Sequence, residues 1–268
     1  MTNENGTLSG RLDAIGVIDA GRTAALRSRY LDLVMRILVN AIYQDPAMDP
    51  WSGRAYDEKM RAVGRDWPST AHTMVGLARL SNLRELVEKT LLENIPGDYI
   101  ETGVWRGGCC ILMKAVLTAY GERRKLYVAD SFVGLPPPKG ERFPGDAGDL
   151  HHTYDVLAVP LEEVSANFRK YDLLDEDVVF VKGFFESTLP ALQAGPFALL
   201  RLDGDMYEST IIPLEHLYPK LSSGGFVLID DYGAVPGCRQ AVDDYRRENN
   251  IGAPIHEVDW TGVWWRKP

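Results

Sequence analysis

Two short apolar runs end in carboxylates. Leu199-Leu200-Arg201-Leu202-Asp203-Gly204-Asp205 and Val227-Leu228-Ile229-Asp230-Asp231 each read as a buried parallel strand whose acids come where it would leave the sheet at its carboxyl edge. Carboxylates gathered from two strand tips repel one another unless a cation sits between them, and a hard ion such as Mg2+ suits an all-oxygen donor set. Any one of Asp203, Asp230 and Asp231 could serve instead as a helix cap or turn former. Two such ends in one chain favour a site. Asp205, two residues beyond its strand, suits a supporting role and a turn equally well.

A third stretch, Glu101-Thr102-Gly103-Val104-Trp105-Arg106-Gly107-Gly108, sits between a strand and a helix, where a nucleotide fingerprint belongs. It lacks both the GxGxxG spacing that admits a pyrophosphate and a Walker lysine. Glu101 before a small glycine turn suits a ligand bearing an amino group, and Gly103 permits close backbone approach. Asp130, at the next strand tip, can accept both hydroxyls of a ribose. Phe184 and Phe185 after Gly183 suit an adenine face or the core. Together these residues point to S-adenosylmethionine, with NAD as the open competitor.

The elements that must position these groups alternate. Strands are predicted over residues 99–101, 125–129, 178–182, 198–203 and 226–230. Helices are predicted over 109–120, 160–170, 187–193, 212–221 and 237–248, and a final hairpin over 255–258 and 263–266. Such alternation specifies a parallel sheet covered on both faces, with ligands outside the carboxyl ends of its strands. Upstream, apolar spacing predicts helices over 23–42 and 71–93, and residues 1–23 read as a flexible arm. We expect an arm and helical cap over residues 1–95 and a cofactor-binding domain over 96–268, together one structural unit. Residues 131–154 are too long and too rich in breakers for an ordinary connection, and they read as a lid. His151 and His152, within it, read more readily as solvated than as catalytic.

Composition excludes several classes. The 268 residues carry 38 acids against 29 bases, a formal charge of −9, which argues against a nucleic-acid partner. No apolar run is long enough to span a bilayer. Cys109, Cys110 and Cys238 have no metal spacing, which reads as a reduced cytoplasmic protein, and the polar residues 1–21 lack the basic start and apolar core of a signal peptide.

The stretches 99–108, 128–136 (Val-Ala-Asp-Ser-Phe-Val-Gly-Leu-Pro), 202–210 (Leu-Asp-Gly-Asp-Met-Tyr-Glu-Ser-Thr) and 229–232 (Ile-Asp-Asp-Tyr) together resemble the macrocin O-methyltransferase family, of the TylF and MycF type. Residues 43–46 and 71–76 resemble its N-terminal region. The resemblance runs from about residue 25 to the end. It implies a Rossmann-like class I methyltransferase fold with a mostly parallel seven-stranded sheet. It also implies Mg2+-dependent methylation, by S-adenosylmethionine, of a deoxysugar hydroxyl in antibiotic biosynthesis. Asp203, Asp230 and Asp231 would then hold the metal, and Asp203 would also act as general base.

Expected cofactor contacts are Met74, Glu101, Thr102, Gly103, Val104, Trp105, Arg106, Asp130, Ser131, Phe132, Gly183, Phe184, Phe185 and Asp203. Expected substrate contacts are Tyr30, Tyr43, His72, Leu135, Arg142 and Tyr232. An apolar roof from Tyr30, Leu33, Tyr43, Met48 and Trp51 would favour a glycosylated aglycone, whereas Lys139, Arg142 or Arg239 at the mouth would favour a nucleotide sugar. An NAD-dependent sugar oxidoreductase or epimerase and a non-catalytic cofactor scaffold are the alternatives. The helical cap and aromatic tail suggest a homo-oligomer, a dimer or a multiple of dimers.

Overall fold

The computed structural model describes residues 20–268. The expected arm lies outside them except at its end, where residues 20–23 already belong to helix α1 (Ala20–Leu38). Leu31, Val34, Met35 and Leu38 of α1 are buried at helical spacing, which turns one stripe inward. The helix stops short of Ile42 because Asn40 takes a left-handed φ of 51°. A one-turn helix that periodicity does not signal, α2 (Glu58–Ala62), is capped by the Asp57 carboxylate, which accepts from the Lys59 and Met60 N–H groups. Helix α3 (Leu77–Leu92) starts six residues later than expected. Asp45 explains the delay, since its carboxylate accepts from the Thr70 and Ala71 N–H groups and holds that segment out of a helix.

The sheet contains β1 (Asp98–Thr102), β2 (Leu126–Asp130), β3 (Val178–Lys182), β4 (Phe197–Leu202), β5 (Leu221–Ile229), β6 (His256–Glu257) and β7 (Val263–Arg266). Its order is β3-β2-β1-β4-β5-β7-β6, parallel from β3 to β5, with β7 antiparallel to β5. Helices α4 (Gly108–Tyr120), α5 (Leu161–Lys170), α6 (Phe185–Thr188), α7 (Tyr207–Leu217) and α8 (Pro236–Glu248) connect the strands. One buried cluster joins α1, α3, α4 and α5 to one sheet face, and a second joins α7 and α8 to the other. The sheet is thus covered on both sides, as the alternation requires.

Further boundaries were not readable from pattern. Helix α7 begins at Tyr207 rather than 212 because Asp146, from the distant 131–154 loop, accepts from the Tyr207 and Glu208 N–H groups. That supplies the N-terminal cap the local sequence lacks. The helix expected over 187–193 shrinks to the single turn α6. The 131–154 loop carries only short 3-10 turns, at Pro144–Asp146 and His151–Thr153.

Candidate active site

Strand register gathers the tips. Glu101 lies opposite Arg201, Thr102 opposite Leu202, and Leu202 opposite Ile229, so Gly103, Asp203 and Asp230 emerge at one level. The ladder continues one step further, with the Asp203 N–H donating to the Thr102 carbonyl and the Asp230 N–H to that of Leu202. One carboxylate oxygen from each of Asp203, Asp230 and Asp231 lies within 4.8 Å of the others.

A buried guanidinium runs through this cluster. Arg201 Nη1 donates to Asp203 Oδ2 at 2.7 Å and to Glu101, while Nη2 donates to Asp230. Arg79, on α3, donates to Asp230 and, at 3.0 Å, to Asp259. Neither guanidinium bonds Asp231, whose Oδ2 accepts from the Asp205 N–H at 3.2 Å. Burial, with the charges of Asp205, Asp203 and Asp230, pushes Asp231 well above the usual carboxylate range. Burial and the neighbouring Asp230 push Asp203 up to about 7 against the pull of Arg201. The cluster therefore brings together more carboxyl groups than its two arginines can pair. Three hard oxygen donors with that surplus fit a divalent cation such as Mg2+.

The adjoining turn is built for close approach. Gly103 has φ +82°, and a Cβ there would fall 1.7 Å from the Asp203 carbonyl oxygen, so no side chain is tolerated. Asp130 Oδ2 accepts from the Val104 N–H at 2.8 Å and Oδ1 from the Phe132 N–H at 2.7 Å, tying the loops after β1 and β2 together. Burial, working against these bonds, raises the Asp130 carboxyl. Glu101 is buried and already accepts from Arg201 and, at 2.7 Å, from the Cys110 thiol. Its free capacity for a ligand ammonium is smaller than the sequence suggests.

A cavity of about 520 Å3 joins the two halves. Of the expected cofactor residues, Met74, Glu101, Gly103, Val104, Trp105, Asp130, Ser131, Phe184, Phe185 and Asp203 line it, as do Asp230, Asp231, Leu135 and Trp51. Four expected cofactor residues lie outside the lining. Thr102 is wholly buried within β1. Arg106 stacks on Trp105 and donates to the Pro68 and Ala71 carbonyls, which fastens the N-terminal segment to the sheet. The Phe132 ring packs on Phe180, and Gly183 donates to the Asp130 carbonyl.

Five expected substrate residues are likewise outside the lining. Tyr30 and Tyr43 face solvent. His72 Nδ1 pairs with the Tyr171 hydroxyl at 2.7 Å, Arg142 bonds Glu186, and the Tyr232 hydroxyl donates to Asp243. Leu33 and Met48, expected in the roof, are also exposed and do not line the cavity.

The wall contains residues that sequence reasoning passed over: Arg65, Trp67, Arg79, Arg201 and Trp260. A charge inside the apolar run of β4 was the available signal for Arg201, since a buried guanidinium must be paired. His151 also lines the cavity, with Nδ1 2.7 Å from Asp149 and Nε2 3.8 Å from Asp205. These two acids outweigh burial and raise its pKa.

This sheet order with its antiparallel last strand, and the glycine turn after β1, define a class I methyltransferase. The chain belongs to the macrocin-O-methyltransferase (TylF) family, whose model matches residues 33–267. It is 52% identical over 248 residues, 91% of this chain and 94% of the relative, to the 8-demethyl-8-(2,3-dimethoxy-alpha-L-rhamnosyl)-tetracenomycin-C 4'-O-methyltransferase of Streptomyces olivaceus. It is 48% identical over 253 residues, 92% of this chain and 97% of the relative, to the demethyldecarbamoylnovobiocin O-methyltransferase of Streptomyces niveus. The solved structure of the O-methyltransferase NovP superposes with a TM-score of 0.86 at 48% identity, covering 90% of this chain and 99% of that one. Neither the oxidoreductase nor the scaffold alternative finds support among these relatives. No helix among the described residues is long and apolar enough to cross a membrane.

Proposed function

We propose that this enzyme transfers the methyl group of S-adenosylmethionine, with Mg2+, to a hydroxyl of a deoxysugar already attached to an aglycone, in antibiotic biosynthesis. The carrying observation is that the Asp203, Asp230 and Asp231 oxygens share one cavity with the Gly103 turn. Gly103, Val104, Trp105 and Asp130 would cradle the cofactor, which supplies the electrophilic methyl group. Asp203, Asp230 and Asp231 would hold the metal, which supplies charge that acidifies and orients a sugar hydroxyl. Asp203 accepts the hydroxyl proton as the new O–C bond forms and the S–C bond of the sulfonium breaks, releasing S-adenosylhomocysteine. Gly103 and the β4 tip set the distance between donor and acceptor, and positioning accounts for most of the remaining rate. Residues 131–154, held to α7 through Asp146, act as the lid that excludes water.

Side-chain pairing supports the glycoside over the nucleotide sugar. Lys139 is bonded to Glu186 and Glu208, Arg142 to Glu186, and Arg239 to the Tyr232 carbonyl. Two of the three cations expected for a diphosphate, Lys139 and Arg142, are thus already paired with carboxylates. The name of the Streptomyces olivaceus relative likewise describes a rhamnosyl unit carried on tetracenomycin C. Three free buried thiols accord with action in the cytoplasm. The exposed Leu26, Tyr30 and Leu33 on one stripe of α1 accord with pairing to a second copy, which sedimentation would measure.

The test is a methyl-transfer assay on matched panels of glycosides and nucleotide sugars, with and without EDTA. Turnover of glycosides that EDTA abolishes and Mg2+ restores is expected. Turnover indifferent to EDTA would remove the metal from the reading, and preference for nucleotide sugars would reverse the choice of acceptor.

A further inference from the structure

Three indoles contribute to the cavity wall. Trp51, Trp67 and Trp260 all line it, although they come from the N-terminal segment and the loop before β7. Asp49, completely buried, fixes the first two: its Oδ1 accepts from the Trp51 N–H at 3.1 Å and its Oδ2 from the Trp67 N–H at 3.0 Å. The Trp51 and Trp67 rings then meet edge to face with centroids 4.8 Å apart. Trp260 is anchored through its Nε1–H to the Val63 carbonyl at 2.9 Å. Even so, Trp51 is 56% exposed and Trp260 40%. Large rings held by their backbones and edges, and still partly exposed, offer a planar ligand apolar surface at little ordering cost.

The same wall holds a guanidinium without a carboxylate. Of the three arginines in the lining, Arg79 and Arg201 are committed to acids. Arg65 is exposed and stacks on Trp260 with its central carbon 4.3 Å from the ring centroid, and among the described residues it forms no ion pair. Stacking leaves the in-plane N–H donors free, the arrangement in which arginine binds a planar anion.

We infer that Trp51, Trp260 and Arg65 form an aglycone subsite that selects a planar aromatic aglycone bearing an acidic substituent, a carboxylate or phenolate class of group. The inference rests on the reading of the acceptor as a completed glycoside. Trp51 takes the ring system and Arg65, braced on Trp260, takes the acid, so the sugar is directed toward Asp203.

Binding measured by tryptophan fluorescence in the presence of S-adenosylhomocysteine tests this without turnover. Three probes are compared: the 7-O-rhamnoside of coumarin-3-carboxylate, the 7-O-rhamnoside of coumarin, and octyl rhamnoside. The parent enzyme should prefer the first to the second, and the second to the third, by about tenfold at each step. Arg65→Met should abolish the first preference and keep the second, whereas Trp51→Leu should abolish the second. All three residues are partly or wholly exposed, and retained S-adenosylhomocysteine affinity shows that each variant is folded. Equal affinity for the coumarin and octyl rhamnosides, or a carboxylate preference that survives Arg65→Met, overturns the subsite. Methyl transfer to the same probes is scored separately. Graded binding with no methylation of any rhamnoside would count against the proposed function and leave the subsite standing.

Discussion

Arg201 Nη1 stands 2.7 Å from Asp203 Oδ2, and the same guanidinium also serves Glu101 and Asp230. The general-base candidate is therefore held in place by a buried cation from its own strand. Arg201→Met should leave these carboxylates facing one another in a desolvated cleft. A loss of about 3–5 kcal/mol of folding stability is expected in urea unfolding. Arg201→Lys should recover part of it, since one ammonium keeps the charge and cannot span the three acids. A loss below about 1 kcal/mol for the methionine variant would place the guanidinium among dispensable charges.

Gly103→Ala tests the contact between β1 and β4. The residue has φ +82°, and the added methyl would meet the Asp203 carbonyl at 1.7 Å, so the β4 tip must retreat. We expect roughly 1–3 kcal/mol of strain and, because a displacement on the order of 1 Å misplaces the base, methyl transfer reduced by about a hundredfold or more. Parent-like turnover would mean that the tip moves without consequence.

The contrast between Asp203 and Arg201 shows what the sequence could disclose. Apolar runs and their terminal acids are local features, so β1 to β5 and the Asp203, Asp230 and Asp231 grouping were readable, and the β3 bounds coincide with those expected. Contacts between distant segments were not. Asp45 holding residues 70 and 71, and Asp146 capping α7, shift two helix starts by several residues. Tyr30, Tyr43 and Tyr232 attracted attention by residue type, yet only packing decides which aromatics reach the cavity, and Trp67 and Trp260 do so in their place. His72 likewise carries a chemically suggestive ring that the fold assigns to Tyr171.

Asp203→Asn separates binding from chemistry. The amide oxygen still accepts from Arg201, so the cluster geometry is kept while the proton acceptor is lost. Turnover should fall by about 10²–10⁴-fold, with S-adenosylhomocysteine affinity by calorimetry unchanged. Turnover within about tenfold of the parent would move the proton to another acceptor, and His151 beside Asp205 would be the next residue to change.

His72 gives a pH signature of its own. Burial, together with the positive charges of Lys170 and Arg106, pushes its pKa down to about 4, with Asp45 opposing, and Nδ1 of the neutral ring pairs with the Tyr171 hydroxyl at 2.7 Å. In the unfolded chain the imidazole titrates near 6.5. Above that pH neither state is protonated and the full stability is present. Between 6.5 and 4 the unfolded chain takes up a proton that the folded ring refuses, so stability falls as pH falls. The loss attributable to this ring is about 2 kcal/mol after allowance for solvent screening. His72→Gln removes the titration while its side-chain oxygen can still accept from Tyr171. Urea midpoints measured from pH 4 to 7.5 should therefore decline less steeply for the variant than for the parent. Parallel declines would assign the acid sensitivity of the fold to other groups, and unchanged glycoside KM in the variant is expected because the ring lies outside the cavity lining.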